Sequence, residues 1–431
     1  MLATFRNRDF SLLWFAGLIS IMGDWVLYAA LPLYAYQQTG SALASGAVFA
    51  AMTLPGVLIG SVAGVFVDRW DRRLTMIYAN IFQALALLPL IAVSISGFLW
   101  PAYVVVFLIS TASKFFSPAE NALLPRLVGE KRLMSANSLN ALNDNLARIV
   151  GPALGGVLVA YSGLVGVVIV DGLTFLLSAA LVMLIRSRES GPRSSTTEST
   201  APLVEASGAP RLATSDALET WRSVWQEWAE GIRAILGHST LKPLFLVIGI
   251  ALLADSILGA LLAPFVEAAL GGGASAFGFL LTARGIGGLI GGMLVGYSSG
   301  WFSPQRLLTI SLFAFGLGVA ALANVGSVTA ALAVWLLAGI PAVGWWASQQ
   351  TLLQLSVSDS HRGRIFGAYE TGSALMLLVG SLAGGALGDY FGIVWLLDAA
   401  AGLYIVAGVV AVGLLWSSSK QPLPGAGKHG S

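Results

Sequence analysis

Cysteine is absent from these 431 residues, which excludes disulfides, thiol nucleophiles and cysteine metal sites while leaving the compartment open. Charge is nearly as scarce, at 10% of the chain, and histidine occurs three times, at His238, His361 and His429. None of the five lysines is followed by serine or threonine, so there is no phosphate-binding loop for ATP. The sequence contains no His-Glu-x-x-His, and no enzyme, metal or cofactor is expected. Gly285-Ile-Gly287-Gly288 falls inside an apolar run and reads as helix packing, not as a dinucleotide site. The net charge of +2 is too small for a nucleic-acid surface.

What is abundant is apolar surface and glycine. The chain is 56% hydrophobic with 51 glycines, and its mean hydropathy of +0.81 lies far outside the range of soluble domains. A membrane crossing takes roughly 20 mostly apolar residues. Twelve such stretches run near 10–36, 43–67, 74–96, 100–119, 136–160, 163–186, 242–266, 275–300, 305–324, 328–350, 363–388 and 393–416. They are too long for barrel strands, so the fold class expected is an all-α polytopic membrane protein. Arg6 and Arg8 precede a first stretch too long for a cleavable signal, which is therefore expected to remain as the first helix.

The chain repeats itself. Gly46, Gly56, Gly60 and Gly64 recur 232 residues later as Gly278, Gly288, Gly292 and Gly296. Asp24 returns as Asp255, Pro32 as Pro264, and Gly151/Gly155/Gly156 as Gly380/Gly384/Gly385. A period this long marks a duplicated half-molecule, with six crossings in each half. The halves are expected at 1–187 and 241–416, joined by a linker over 188–240 and followed by a tail over 417–431.

Within the linker, residues 190–215 are too polar and too rich in Ser, Thr, Pro and Gly to form a core. Over about 216–236, Leu218, Trp221, Trp225, Trp228, Ile232 and Ile235 follow a 3-4-3-4-3 spacing, the stripe of an amphipathic helix. That helix either lies in the inner headgroup layer or packs on the protein's own cytoplasmic face. Of 23 basic residues, 20 fall in the N-terminal lead, the even loops, the linker with its flanks and the tail. Short basic loops stay on the cytoplasmic side, so both termini are expected there, in the cytoplasmic membrane.

Burying an ionisable group at mid-bilayer costs on the order of 3 kcal/mol or more, which makes each one a functional suspect. Asp24 and Asp255 fall near the middle of the first and seventh stretches. A carboxyl group without a partner in such a medium holds a proton far more readily than in water, which is what proton coupling requires. The alternative for both acids is structural hydrogen bonding to neighbouring helices. Arg148 and Arg284 are permanent cations and need carboxylates or carbonyls nearby; Asp144, one turn before Arg148, is the expected partner there. Lys114 either snorkels to the inner surface or contacts an anionic headgroup. Asp171 and Asp398 are expected nearer the outer side.

At the inner end of the second stretch, Gly64-Val-Phe-Val-Asp68-Arg69-Trp-Asp71-Arg72-Arg73 resembles the G-x-x-x-D-R-x-G-R-R loop of the major facilitator superfamily, departing at Asp71, where the family usually has glycine. Gly151-Pro152-Ala-Leu-Gly155-Gly156 is similar to the superfamily's antiporter motif. Asn7-Arg8-Asp9-Phe10, Gly23-Asp24, Leu31-Pro32, Phe116-Ser-Pro118-Ala119 and Ala136-Asn137-Ser138 resemble the drug/proton antiporter subgroup that includes macrolide exporters.

The resemblance implies two pseudo-symmetric six-helix bundles around a central cavity that opens alternately to each side. Asp68, Arg69, Arg72 and Arg73 would then form a cytoplasmic latch, with Glu370 as a gate partner; the plainer reading of the arginines is a topology signal. Gly151 and Pro152 would bend the fifth helix at the seam, or serve packing alone. Trp25, Tyr28, Phe115, Phe116, Trp345 and Trp346 either line the cavity or act as core and interface aromatics. The function implied is proton-driven export of a small lipophilic or amphipathic substrate by a monomer among membrane lipids, without nucleic acid. A lysophospholipid flippase, a siderophore exporter and a sensor that moves no solute are the alternatives.

Overall fold

The structure, a computed structural model, describes residues 2–186, 241–298, 301–357 and 362–418, together with Arg233, Ile235 and Gly237. After a 3-10 turn at Leu2–Arg6, the regular elements are α1 (Arg8–Thr39), α2 (Ala42–Arg69), α3 (Arg72–Ala86), α4 (Pro89–Ser96), α5 (Trp100–Val128), α6 (Glu130–Met183), α7 (Leu241–Ala268), α8 (Gly273–Ser298), α9 (Pro304–Ala323), α10 (Val328–Ser356), α11 (Arg362–Phe391) and α12 (Ile393–Ser418). Among the described residues every element is a helix.

Among the described residues, eleven helical spans are long and apolar enough to cross a membrane, with α3 and α4 forming one of them. One of the eleven, Arg132–Met183, holds 52 residues, or roughly 80 Å at 1.5 Å per residue, more than twice a bilayer's hydrocarbon thickness. At Gly163 the backbone leaves helical geometry, with φ 62 and ψ −163, values that favour a residue without a Cβ. Counted as two crossings, α6 gives the twelve that the apolar stretches predict, which puts the start of α1 and the end of α12, the ends nearest the termini, on one side.

Local chemistry explains where several helices begin. The Asn7 side chain accepts from the N–H groups of Asp9 and Phe10 at the start of α1, and Ser41 and Ser327 cap α2 and α10. Asp71 caps α3, its carboxylate accepting from the Leu74 N–H at 2.8 Å. Its backbone is extended, with φ −65 and ψ 114, so this turn needs no glycine.

Each half carries its own apolar core. Leu31, Val105, Val167 and Phe175 belong to the core of the first, and Phe265, Phe315, Trp335 and Tyr404 to that of the second. Leu173, Leu177, Leu317 and Leu337 are exposed instead, as a lipid-facing surface requires.

Contacts between the halves cluster on the side opposite the termini. There an added Cβ on Gly156 would lie 3.0 Å from Gly278 Cα, and one on Gly385 2.6 Å from Leu43 Cα. Gln37 Nε2 donates to Glu267 at 3.0 Å. Asp389, on α11, accepts from the Ser41 hydroxyl and from the Ala42 and Leu43 N–H groups. A carboxylate at a helix N-terminus satisfies free donors and complements the helix dipole. Nearer mid-depth, Thr282 Oγ1 donates to the Ile149 carbonyl at 2.6 Å. Apart from Arg233, Ile235, Gly237, Ser417 and Ser418, the linker and the tail lie outside the described residues. One of these, Ile235, is buried against Leu241, Val357, Ile365 and Ala368.

Candidate functional site

A central cavity of about 360 Å³ lies between the halves. From the first half it is lined by Asp24, Leu27 and Tyr28 of α1, Phe49, Met52 and Thr53 of α2, and Val106, Ile109, Ser110, Ser113 and Lys114 of α5. Asp255, Ser256 and Gly259 of α7, Arg284 of α8, and Leu377 and Ser381 of α11 come from the second. Five residues singled out from the sequence, Asp24, Tyr28, Lys114, Asp255 and Arg284, therefore share one space.

The duplicated acids differ in their surroundings. Arg284 Nη2 stands 3.4 Å from Asp255 Oδ1, and the Tyr404 hydroxyl donates to the same oxygen at 3.0 Å. The guanidinium also lies over the rings of Phe315 and Trp335, 5.2 and 5.4 Å from their centroids, so its flat face is held by π-systems while its edge meets the acid. Asp24 makes no ion pair or hydrogen bond among the described residues. Where Asp255 has Arg284, the matching position in the first half is Met52, which lines the same cavity without charge. Divergence after duplication has thus left one acid paired and its counterpart unpaired.

With the pair members 28% and 21% exposed, water screens part of their attraction. Arg284→Met is expected to cost on the order of 1–2 kcal/mol. In the Asp255→Asn background the same substitution should cost far less, which a double-mutant cycle on thermal unfolding in detergent would show.

A second cavity of about 300 Å³ opens toward the side of the termini. Its lining is polar: Ser20, Asp24, Gln83, Ser113, Ser117, Glu120, Asn121, Asn140, Asn143 and Asp144, with Ile21 and Phe116. Asp24 and Ser113 border both cavities. Glu120 is 8% exposed and has no ion pair or hydrogen bond among the described residues. The apolar stretch predicted to end at 119 leaves Glu120 outside the membrane, but α5 continues to Val128. Two more turns of helix persist because their polar faces meet a polar cavity and not lipid. Gly17 makes room for this acid, since a Cβ there would sit 2.7 Å from Glu120 Oε1.

Asp171 is also fully buried, packed against Gly23 of α1, with one carboxylate oxygen hydrogen-bonded to Thr174 and the other without a partner. Sequence position places it only by depth; helix packing encloses it. Asp398 accepts from Asn324 Nδ2 at 2.9 Å.

Other expected site residues sit elsewhere. Arg148 makes no ion pair with Asp144 among the described residues; its guanidinium lies over Trp25, 5.5 Å from the ring centroid. Trp345 is fully buried against Phe315 and Tyr404 in the second core, and Trp346 beside it is exposed. Neither lines the central cavity, because their positions on α10 turn toward α9 and α12 or outward. Phe115 stacks on Trp70 and borders a separate apolar groove with Arg69, whereas Phe116 reaches the polar cavity.

Where α2 passes into α3, Arg72 bonds to the Ala122 carbonyl at 3.4 Å, and Arg73 Nε to that of Val182 at 3.1 Å, both within the first half. Arg73 also reaches Met183, so it caps the end of α6. The side chains of Gly64 and Asp68 lie outside the described residues, and Glu370 is exposed. In the Gly-Pro motif, Gly151 and Gly155 face Trp25 and Val26 of α1, while Pro152 and Gly156 face Gly278 of α8. The second copy matches, with Gly384 against Ile257 of α7 and Gly385 against α2.

A family described as transmembrane secretion effector matches residues 1–416, nearly the whole chain. The chain belongs to that family. It is a branch of the major facilitator superfamily, and this secretion effector is a multi-pass membrane transporter, not an enzyme. It is similar to the uncharacterized MFS-type transporter YfiS of Bacillus subtilis, 28% identical over 87% of this chain and 85% of that one. Macrolide efflux protein A of Streptococcus pyogenes is 23% identical over 89% and 90%. Among solved structures, a bacterial homologue of the iron transporter ferroportin in an inward-facing state superposes with a TM-score of 0.71, covering 95% of this chain and 99% of that one at 18% identity. At that identity the likeness concerns the fold alone.

Proposed function

We propose that this secretion effector exports lipophilic or amphipathic compounds, drug-like molecules among them, in exchange for protons. Its termini lie in the cytoplasm and the two halves rock about the central cavity. The observation that carries the reading is the contrast between Asp24, which borders both cavities without a partner among the described residues, and Asp255, which Arg284 and Tyr404 hold. An acid free of counter-ions can take up a proton and release it as the cavity changes sides, and substrate competes with that proton for the same space. The seal opposite the termini, together with a cavity open on their side, fits the substrate-loading state of an exporter. Similarity to a macrolide efflux protein supports the same direction of transport.

Lys114 favours a second reading. It lines the central cavity beside Gly56, with no acidic partner among the described residues, and a cation so placed suits the phosphate of a lysolipid. Proteoliposomes under an imposed pH gradient, given a cationic dye, a macrolide or a labelled lysolipid in separate arms, test both. Gradient-dependent movement of dye or macrolide supports export of amphipathic drugs. Movement of lysolipid alone supports the flippase, and no movement of any probe defeats both.

A further inference from the structure

We propose that the polar cavity on the side of the termini is a recognition subsite for the ammonium or guanidinium group of an amphipathic cation. The inference rests on the export reading and deepens it by naming the substrate class. The argument begins with which hydrogen-bonding groups the walls leave unused. Asn143 Nδ2 donates to the Trp14 carbonyl at 3.0 Å, and Gln83 Nε2 to Ser113 Oγ at 3.0 Å. With those donors engaged, Asn143 Oδ1 and Gln83 Oε1 accept nothing among the described residues. The carboxylate of Glu120, more than nine-tenths buried, has no partner among them either.

Three unsatisfied groups on three helices are thus all acceptors, and Asp24 and Asp144 border the same space. Among the described residues no lysine, arginine or histidine lines it. A buried acceptor left unpaired is costly, so a working cycle has to supply donors here. Of the described cations on neighbouring turns, Arg148 lies over Trp25, and Lys114 borders the central cavity.

A bare metal ion does not meet the demand. It needs several ligand oxygens converging at about 2.0–2.6 Å, and among the described residues no group of three His, Cys, Asp or Glu is placed to hold one. The volume of about 300 Å³, on the order of ten times a water's share of the liquid, suits a polyatomic cation with several N–H donors. The cavity meets the central one at Asp24 and Ser113. A charged head on Glu120 therefore leaves its apolar body facing Tyr28, Phe49 and Met52.

The test is equilibrium calorimetry on the full chain in lipid nanodiscs at one pH and without a gradient, with dodecylguanidinium and the uncharged dodecanol as probes. Glu120→Gln is expected to weaken dodecylguanidinium binding by roughly tenfold or more, leaving dodecanol within about twofold. Asn121→Lys, at an exposed position on the rim, places a resident ammonium in the cavity and should do the same; ligand-free melting curves report folding for each variant. Guanidinium binding that survives both substitutions, or loss of both probes in parallel, overturns the proposal. Binding at equilibrium requires no proton coupling. Glu120-dependent binding alongside pH-independent transport would sink the coupling reading alone, and the reverse result would sink the subsite alone.

Discussion

Asp24→Asn is expected to abolish accumulation driven by a pH gradient while leaving downhill exchange of substrate intact. Asparagine keeps the shape of the side chain and much of its hydrogen bonding but cannot carry the proton. Coupling between two binding events amounts to about 1–3 kcal/mol, or roughly 5- to 150-fold, and that factor is what the substitution should remove from gradient-driven transport. Asp255→Asn serves as the matched comparison. Its carboxylate already has Arg284 at 3.4 Å and Tyr404 at 3.0 Å, so its loss should lower stability or substrate affinity and leave the pH dependence in place. Proteoliposome uptake measured across a series of external pH values separates the two. An unchanged pH profile in Asp24→Asn would show that the coupling acid lies elsewhere, with Glu120 and Asp171 the next to examine.

The second large effect is expected at the seam. Gly156 faces Gly278 so closely that a Cβ alone would lie 3.0 Å from its Cα, and a leucine adds three more carbons. Backbone cannot yield there as a side-chain tip can, so the halves should fail to close opposite the termini. Overpacking of this kind costs about 1–3 kcal/mol, enough to shift a two-state closure by roughly an order of magnitude or more. Transport by Gly156→Leu should fall by about tenfold or more, although both bundles remain folded. Because the chain lacks cysteine, a single Met52→Cys on the wall of the central cavity reports access from that side by its rate of labelling with a membrane-impermeant thiol reagent, and the rate should rise in the Gly156→Leu background. Gly249→Leu is the control: nothing lies within 4 Å of a Cβ at that position, so transport and labelling should match the parent. Unchanged labelling in Gly156→Leu would mean that the seam does not govern access.

The membrane class and the duplicated plan were legible without coordinates, because the solvent imposes both. Hydrocarbon demands about 20 apolar residues per crossing, and close helix contact demands small residues. Both constraints act on local composition and spacing. Even so, the pattern misled at element ends. The apolar rule stops α5 before Glu120, since it scores every face against lipid, and the polar face there meets a cavity. Asp144 and Arg148 are one turn apart in sequence, yet Arg148 turns to Trp25, an aromatic surface on another helix that no local spacing reveals.

Sequence by itself thus determined that the chain is an all-helical, duplicated membrane protein, and it singled out Asp24, Asp255, Arg148, Arg284 and Lys114 as charges falling inside its apolar stretches. Tertiary structure decided which of those charges are paired. Arg284 reaches Asp255 from a different helix, and Tyr404 joins them across 149 residues of chain, while the equivalent reach toward Asp24 ends in the thioether of Met52. A charge's cost in low dielectric depends on what stands within a few ångströms, and that is fixed by how helices cross.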